Sequence, residues 1–279
     1  YSYKAFGLLI NSAFPVTGFV PLAFNAEPDV TIEKGDVPAS LNNVCNKGVF
    51  YQANTNEFLL KIEGIGGFYA SNGNKIIVEK SKAASWNDIN VFLVGRVFGS
   101  LLQQRRLLTL HASAVRFNGC NFIFAGHSGS GKSTLTAAFI DKGAYLLADD
   151  IVTISLLNDN PMIIPSFPVI KIWEDSLLSL GKDPSEYKPV RDGYRKYYLP
   201  VSNFIDEPYN PEFIITLHTH NSESFESDVL SGVEKFSALR SFTYFIRGIA
   251  HTGIEVNHFE LRNRLALQTK IIKLTRPNG

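Results

Sequence analysis

One glycine-rich segment in the middle of the chain constrains the fold more than any other feature. It runs Gly126-His127-Ser128-Gly129-Ser130-Gly131-Lys132-Ser133-Thr134 and fits the phosphate-loop pattern G-x-x-x-x-G-K-[ST]. The pattern predicts a buried strand just before it, over 120–125, and a helix just after it, over 134–142. A phosphate loop requires this order of strand, loop and helix. The segment therefore predicts an α/β fold that binds a nucleotide through its phosphates.

The residue types of this loop indicate how the phosphates would be held. Glycines at 126, 129 and 131 let the backbone turn its N–H groups inward, and the amino end of the following helix favours negative charge. Lys132 is expected to reach the β and γ phosphates, and the Ser133 hydroxyl is expected to ligate Mg²⁺. The predicted cofactors are ATP and Mg²⁺, although the loop does not distinguish ATP from GTP.

Charge and cysteine content exclude several other classes of protein. The chain has 27 Lys and Arg against 26 Asp and Glu, which gives no electrostatic case for nucleic acid or an anionic membrane as a partner. No apolar run approaches the roughly 20 residues of a membrane helix, and the first residues lack a signal-peptide pattern. We interpret the chain as a cytoplasmic protein. Its two cysteines, Cys45 and Cys120, are too few for a disulfide framework.

The composition of the chain changes near residue 85. Short alternating segments over 58–63, 67–70 and 75–79 predict strands of a small β-rich N-terminal module, residues 1–85. Residues 86–279 are the predicted phosphate-loop domain. A helix capped at Ser85 or Asn87 and running to about Gln104 opens this domain, and we expect it to pack on the sheet that carries the loop.

A hairpin signal lies directly before the phosphate loop. Two strand-like segments, 108–117 and 120–125, are separated by Asn118-Gly119, which favours a two-residue turn. If Phe117 pairs with Cys120, the register places His111 opposite Gly126. His111 could then contact the γ phosphate or the group that receives it. A lone strand histidine is more often a satisfied core residue, but the register favours the functional interpretation.

A pair of acids follows the next predicted strand. Residues 146–148 are apolar and Asp149-Asp150 come directly after them, at the edge of the sheet where ligands bind in open α/β folds. We expect Asp149 to act as the catalytic base that takes a proton from the acceptor hydroxyl, and Asp150 to hold Mg²⁺ together with Ser133. The alternative is a solvated turn after a strand.

Basic residues beyond the acid pair are candidate clamps for phosphate or carboxylate groups. Lys171 and Arg195 are the first candidates, because guanidinium and ammonium groups match such oxyanions. Arg240 is a further candidate; it shares one face of a helix predicted over 233–249 with Arg247. For each of them a solvated surface charge is the alternative. The basic residues in or near the connection after the acid pair are Lys171, Arg191, Arg195 and Lys196.

His111, the loop at 126–134 and Ala148-Asp149-Asp150 together resemble, in order and spacing, the core of bacterial HPr kinase/phosphorylase and of the wider HPr-kinase-like serine kinases. The segment 165–173 is similar to the substrate-side segment of these proteins. The resemblance implies a P-loop domain of the HPr-kinase and phosphoenolpyruvate-carboxykinase type, acting as an ATP-dependent serine kinase. The glycine-rich signature of the bifunctional enzyme is absent, which argues against phosphorylase activity and against HPr as the substrate.

The amino-terminal segment Tyr3-Lys4-Ala5-Phe6-Gly7-Leu8 resembles that of stand-alone kinases of lasso-peptide biosynthesis. This resemblance implies a peptide substrate, with the C-terminal serine of a lasso precursor as the acceptor, and it is compatible with a homo-oligomer. Three alternatives remain open at this point. They are an HPr(Ser) kinase-type regulator, a non-catalytic nucleotide-dependent sensor or assembly factor, and a kinase acting on a small metabolite.

Overall fold

The computed structural model describes residues 1–277, which form a mixed α/β fold with several sheets and few helices. The predicted α/β class is confirmed at this level. The last two residues of the predicted second domain lie outside the described part of the chain. Within residues 1–277, no helix is both long and apolar enough to cross a membrane.

The first part of the chain is built mainly of strands. Its strands are β1 (Ser2–Ala5), β2 (Leu8–Ser12), β3 (Val20–Pro21), β4 (Val30–Lys34), β5 (Asn46–Lys47), β6 (Tyr51–Ala53), β7 (Glu57–Ile62), β8 (Gly66–Ser71) and β9 (Lys75–Lys80). They form one nine-stranded sheet in the order β3-β1-β2-β4-β9-β8-β7-β6-β5. Two helices, α1 (Trp86–Phe92) and α2 (Phe98–Gln104), follow it and are joined by a π-helical turn, Leu93–Val97.

The second part of the chain alternates strands and helices. Its strands are β10 (Leu108–Leu110), β11 (Ala112–Phe117), β12 (Cys120–Gly126), β13 (Tyr145–Ala148), β14 (Val152–Leu157), β15 (Asn160–Ile164), β16 (Val169–Trp173), β17 (Lys188–Pro189), β18 (Lys196–Pro200), β19 (Phe213–His220), β20 (Glu226–Val229) and β21 (Lys270–Pro277). Its helices are α3 (Lys132–Asp141), α4 (Glu174–Ser179), α5 (Gly232–Ser241), α6 (Ile246–Ile249) and α7 (Ile254–Gln268), with a short 3₁₀ turn at Pro184–Glu186.

The chain divides into two compact units. The first comprises Tyr1–Leu108, Val190–Gly193 and Phe245–Phe259, and the second comprises Thr109–Pro189, Tyr194–Tyr244 and the chain from Glu260 onward. The helical segment from α1 to α2 therefore lies in the first unit. A domain boundary near residue 85 stays a prediction.

The helix predicted from Ser85 is present as α1, the π turn and α2. The Ser85 hydroxyl accepts a hydrogen bond from the Asp88 backbone N–H and the Asp88 carboxylate accepts one from the Ser85 N–H, which satisfies free donors at the start of the helix. The helix packs on β7 and β8 of the nine-stranded sheet, and the Gln104 side chain hydrogen-bonds the backbone at Ala70 and Gly73. The expectation that it packs on the sheet of the phosphate loop is therefore wrong.

A six-stranded sheet carries the phosphate loop in the second unit. Its order is β13-β11-β12-β19-β21-β20. Strand β11 runs antiparallel to both β12 and β13, whereas β12, β19 and β21 are parallel neighbours. The carboxyl ends of β12, β13, β19 and β21 consequently lie at one edge. Helix α3 covers one face, where Leu135 and Phe139 pack against Val115, Phe124 and Leu217.

The hairpin of β11 and β12 has the register that the sequence predicts. Phe117 pairs with Cys120 and Ala112 pairs with Ala125, so His111, one residue before β11, lies at the level of the phosphate loop. The turn residues Asn118 and Gly119 both have positive φ, 49° and 83°, as a two-residue turn of this kind requires.

The single helix predicted over 233–249 is wrong. Helix α5 ends at Ser241 and α6 begins at Ile246, and between them Phe245 adopts a left-handed φ of 47°. Arg240 and Arg247 consequently belong to different helices and do not share a face. The break also lets the backbone of 242–244 join the second unit, where the Phe242 carbonyl accepts a hydrogen bond from the His111 N–H at 2.8 Å.

The hairpin turn at Asn118-Gly119 can be tested by measuring the free energy of unfolding of Gly119 variants. A Cβ built on Gly119 would have nothing within 4 Å, so its cost is backbone strain alone. We expect Gly119→Ala to lower the free energy of unfolding by about 1 kcal/mol, and Gly119→Asn to lower it by less because Asn tolerates left-handed backbone. Urea titrations of both variants measure this. Equal losses in the two variants would contradict a left-handed turn at Gly119.

Candidate functional site

The phosphate loop connects β12 to α3 and depends on its glycines. Gly129 and Gly131 have positive φ, 84° and 95°, which side chains rarely adopt, and Gly131 is the amino-terminal cap of α3. A Cβ on Gly126 would lie 2.3 Å from the Ser130 hydroxyl oxygen and 3.0 Å from the Leu217 carbonyl oxygen. The loop can therefore keep this path only with glycine at these positions.

Lys132, the first residue of α3, turns its ammonium group back into the loop. The Nζ atom donates to the carbonyl oxygens of Gly126, at 2.7 Å, and His127, at 3.1 Å. Burial lowers the pKa of Lys132, while the negative charges of Asp149 and Asp150 oppose that shift. The ammonium group is thus held at the mouth of the loop, beside the two carboxylates.

Asp149 follows β13 and is 3% exposed. Its Oδ1 atom accepts a hydrogen bond from the Ser113 hydroxyl at 2.6 Å, and its Oδ2 atom accepts one from the Lys171 backbone N–H at 2.9 Å. The Ser133 hydroxyl lies 3.4 Å from the same Oδ1 atom. Burial, and secondly the charge of Asp150, raise the pKa of Asp149.

Asp150 has a different set of partners. The Lys171 ammonium nitrogen lies 2.9 Å from Asp150 Oδ2, and His111 Nδ1 lies 3.6 Å from Oδ1 and 3.3 Å from the Asp150 carbonyl oxygen. Burial acts to raise the pKa of Asp150, but Lys171, Lys196 and His111 outweigh it and hold the pKa below its usual range. The same ion pair outweighs burial at Lys171 and raises its pKa. Asp150 and Lys171 are therefore both charged at neutral pH.

His111 lies beside the loop and the acid pair. Burial lowers its pKa, Lys132 lowers it further, and Asp150 opposes both. The ring is therefore predominantly neutral at pH 7, with one nitrogen able to accept a proton.

A cavity in the second unit joins these groups. It is lined by residues of the loop, of the acid pair and of the segment that begins at β16: His111, Ser128, Gly129, Gly131, Lys132, Ser133, Thr134, Asp149, Asp150, Lys171, Trp173, Ser176 and Lys196. Chain segments far apart in sequence thus converge on the phosphate loop.

Two of the three predicted clamp residues do not reach this cavity. Arg195 is exposed and forms an ion pair with Glu174, and Arg240 is exposed on α5. Lys171 does line the cavity, and so does Lys196, the neighbour of Arg195. Lys196 pairs with Trp173 across β16 and β18, and its ammonium group lies 5.4 Å from the centre of the Trp173 ring.

Sequence reasoning missed two hydroxyl groups of the site. Ser113 lies on β11. In the single strand that the sequence predicts over 108–117, Ser113 would share a face with His111, and this alternation was the available signal. Ser176 of α4 accepts a hydrogen bond from the Thr134 hydroxyl at 2.7 Å. No local pattern marks Ser176, because its contact with the loop is non-local.

The donor set fits a magnesium nucleotide. The Ser133 and Asp149 oxygens lie together beside the loop, and hydroxyl and carboxylate oxygens are ligands that Mg²⁺ prefers. Within residues 1–277 no group of three or more His, Cys, Asp or Glu residues could form a metal cage. A hard cation held by few protein oxygens, with phosphate oxygens and water completing its shell, suits such a site.

Comparisons with known proteins bear on one segment of the chain. A stretch of 56 residues is 39% identical to the HPr kinase/phosphorylase of Treponema pallidum, with the same identity in each of two strains of that organism. The match covers 20% of this chain and 18% of the relative, so the chain matches less than a fifth of the relative's length. The predicted resemblance to the HPr-kinase-like family is confirmed by this match.

The structural comparison gives a weaker likeness. The Hpr(Ser) kinase/phosphatase from Coxiella burnetii superposes with a TM-score of 0.32 and 13% sequence identity, covering 61% of this chain and 86% of that one. No protein-family model matches the chain.

The charges around His111 give a titration test. We expect its pKa to lie below the usual value of about 6.5, to rise toward that value in Lys132→Met and to fall further in Asp150→Asn, because Lys132 lowers it and Asp150 raises it. Heteronuclear NMR of the imidazole resonances across pH 4 to pH 9, roughly the range in which histidine titrates, measures all three. A His111 pKa that falls in Lys132→Met, or one that rises in Asp150→Asn, would contradict the placement of His111.

Proposed function

We propose that this chain, a relative of the HPr-kinase-like proteins, is a serine kinase that transfers the γ-phosphoryl group of ATP to a hydroxyl of a peptide or protein. The observation that carries the proposal is the cavity in which the phosphate loop, the acid pair, His111 and Lys171 meet. A protein that only binds a magnesium nucleotide needs the loop and one carboxylate for the metal, but it has no use for a second carboxylate with a histidine beside it. Bound Mg²⁺ would supply charge neutralisation for the phosphate oxygens.

We assign the two carboxylates by their neighbours. Asp149 is enclosed by hydrogen-bond donors and lies next to the Ser133 hydroxyl, so it is suited to hold the metal side of the site. Asp150 is more open, with 23% of its side chain exposed, and it lies beside His111. We therefore propose that Asp150 accepts the proton of the acceptor hydroxyl and that His111 positions the acceptor. This assignment reverses the roles expected from the sequence.

We also assign separate roles to the three basic residues that line the cavity. Lys132 is placed to neutralise charge on the β and γ phosphates. Lys171 fixes Asp150 through the ion pair and, by donating its backbone N–H to Asp149, fixes the other carboxylate as well. Lys196 is the cation that we propose for an acidic group of the acceptor, in place of Arg195, because Lys196 lines the cavity.

The acceptor that we propose is the C-terminal serine of a lasso-peptide precursor. The support is the resemblance of residues 3–8 to kinases of lasso-peptide biosynthesis, together with a cation at the cavity wall that could bind a terminal carboxylate. HPr is the second candidate acceptor, because the matched relatives are HPr kinase/phosphorylases.

The two carboxylates can be separated by experiment. We expect Asp150→Asn to lower phosphoryl transfer by roughly 10² to 10⁴ while ATP still binds, since the amide keeps the shape and loses the base. Asp149→Asn should instead raise the Mg²⁺ concentration needed for half-maximal rate. Transfer is measured with labelled ATP across a magnesium titration. The assignment fails if Asp150→Asn transfers at the wild-type rate, or if Asp149→Asn shows the wild-type magnesium requirement.

The acceptor is tested by offering three substrates to the same enzyme. These are a lasso precursor with a terminal serine, the same precursor with a terminal alanine, and HPr. Mass spectrometry should find one added phosphoryl group on the serine precursor alone. Efficient labelling of HPr would remove the lasso assignment and leave the kinase proposal standing, whereas no labelling of any protein would count against both.

A further inference from the structure

Arg276 lies beside the phosphate loop, although most of the second unit separates the two in sequence. It stands on β21, paired with Thr219 of β19, and β19 in turn pairs with β12, which ends in the loop. The Nη2 and Nε atoms of Arg276 lie 3.6 Å and 4.0 Å from the position that a Cβ on Gly131 would take. Nη1 donates to the Pro277 carbonyl oxygen at 3.0 Å, which limits the motion of the guanidinium group.

The neighbours of β12 in the sheet border the loop on two sides, which we call its flanks. On one flank β11 and β13 lie beside β12, and Asp149 and Asp150 follow β13. On the other flank lie β19 and β21, with Arg276 near the carboxyl end of β21. Arg276 is not among the residues that line the cavity of the acid pair. It approaches Gly131 from the flank opposite the acid pair.

We expect a bound nucleotide to extend across both flanks. Ser133 and Asp149 define the metal side, so the terminal phosphates would point toward the acid pair. The nucleoside would then lie on the other flank, in the crevice along the carboxyl ends of the strands where open α/β sheets bind ligands. The first phosphate after the nucleoside would lie near the amino end of α3, where Gly131 and Arg276 are found.

We propose that Arg276 binds the α-phosphate, the phosphate next to the nucleoside, and so forms a second cationic contact to the nucleotide. The inference rests on the proposed function, because it takes the bound molecule to be a nucleoside triphosphate or diphosphate. Lys132 serves the terminal phosphates as a point charge, whereas the Arg276 fork offers directed donors to one phosphate group. An arginine in this place contributes to affinity equally for ATP and ADP, because both carry the α-phosphate.

Calorimetric titration of Mg·ATP and Mg·ADP tests the assignment. The proteins are wild type, Arg276→Gln, Arg276→Lys and the matched control Arg264→Gln, an arginine of α7 whose described ion pair is with Asp159. We expect Arg276→Gln to raise the Kd of ATP and of ADP by the same factor, about 10-fold or more. The Kd values of Arg276→Lys should lie between those of Arg276→Gln and those of the wild type. Arg264→Gln should bind both nucleotides like the wild type. Thermal unfolding of each variant checks that it is folded.

Two results would overturn the proposal. A loss confined to ATP would place Arg276 on the γ-phosphate, and unchanged affinity for both nucleotides in a folded Arg276→Gln would leave it without a nucleotide contact. Lys132→Ala, titrated beside these variants, separates this inference from the proposed function. If Lys132→Ala loses ATP affinity while Arg276→Gln does not, only the role of Arg276 fails; if wild type itself binds no nucleotide, the kinase proposal fails.

Discussion

Two adjacent carboxylates, the buried Asp149 and the partly exposed Asp150, determine how the rest of the site is arranged. Buried charge is costly unless it is paired and hydrogen-bonded, and two like charges on neighbouring residues add repulsion. Lys171 stabilises both carboxylates. Its ammonium group forms an ion pair with Asp150 at 2.9 Å, and its backbone N–H donates a hydrogen bond to Asp149 at 2.9 Å. Removing one partner of a buried ion pair typically costs about 3–5 kcal/mol. The position of β16, which carries Lys171, is thereby tied to the end of β13.

The six-stranded sheet brings the acid pair and the phosphate loop to the same edge. Strand β11 lies between β12 and β13 and antiparallel to both, so the loop and the acid pair emerge at the same edge with one strand between them. That intervening strand contributes Ser113, whose hydroxyl donates to Asp149, and His111 directly precedes it. Lys132 and Asp150 both line the cavity at this edge. Asp150 itself has a φ of 70°, a left-handed conformation that Asp tolerates better than most residues.

Local signals in the sequence were sufficient for the centre of the site. The phosphate-loop pattern predicted the strand, loop and helix around Gly126, and the Asn118-Gly119 turn predicted the register that brings His111 to the loop. A two-residue turn of this type determines the register of the two strands that it joins, whatever the rest of the chain does. The identity of the basic residues at the cavity could not be predicted in this way. Arg195 and Lys196 are neighbours in sequence, and only the pairing of β16 with β18 decides which of them faces the cavity.

The remaining features that the sequence did not predict come from backbone conformation and from non-local pairing. The left-handed residue Phe245 breaks a segment whose composition favours one helix, and this removed the predicted face shared by Arg240 and Arg247. Arg276 carries no motif, and its place beside Gly131 follows from the parallel pairing of β12, β19 and β21 across long connections. The helical segment from α1 to α2 was assigned to the wrong sheet, because an apolar face indicates that a helix packs on another element but does not identify that element.

A crystal structure of the protein with Mg²⁺ and a non-hydrolysable ATP analogue would show where the nucleotide and the metal bind. We expect the triphosphate inside the loop at 126–134, the metal between the Ser133 hydroxyl and the Asp149 carboxylate, and the γ-phosphate facing Asp150 and His111. Nucleotide bound away from the loop, or a terminal phosphate directed away from the acid pair, would contradict this expectation.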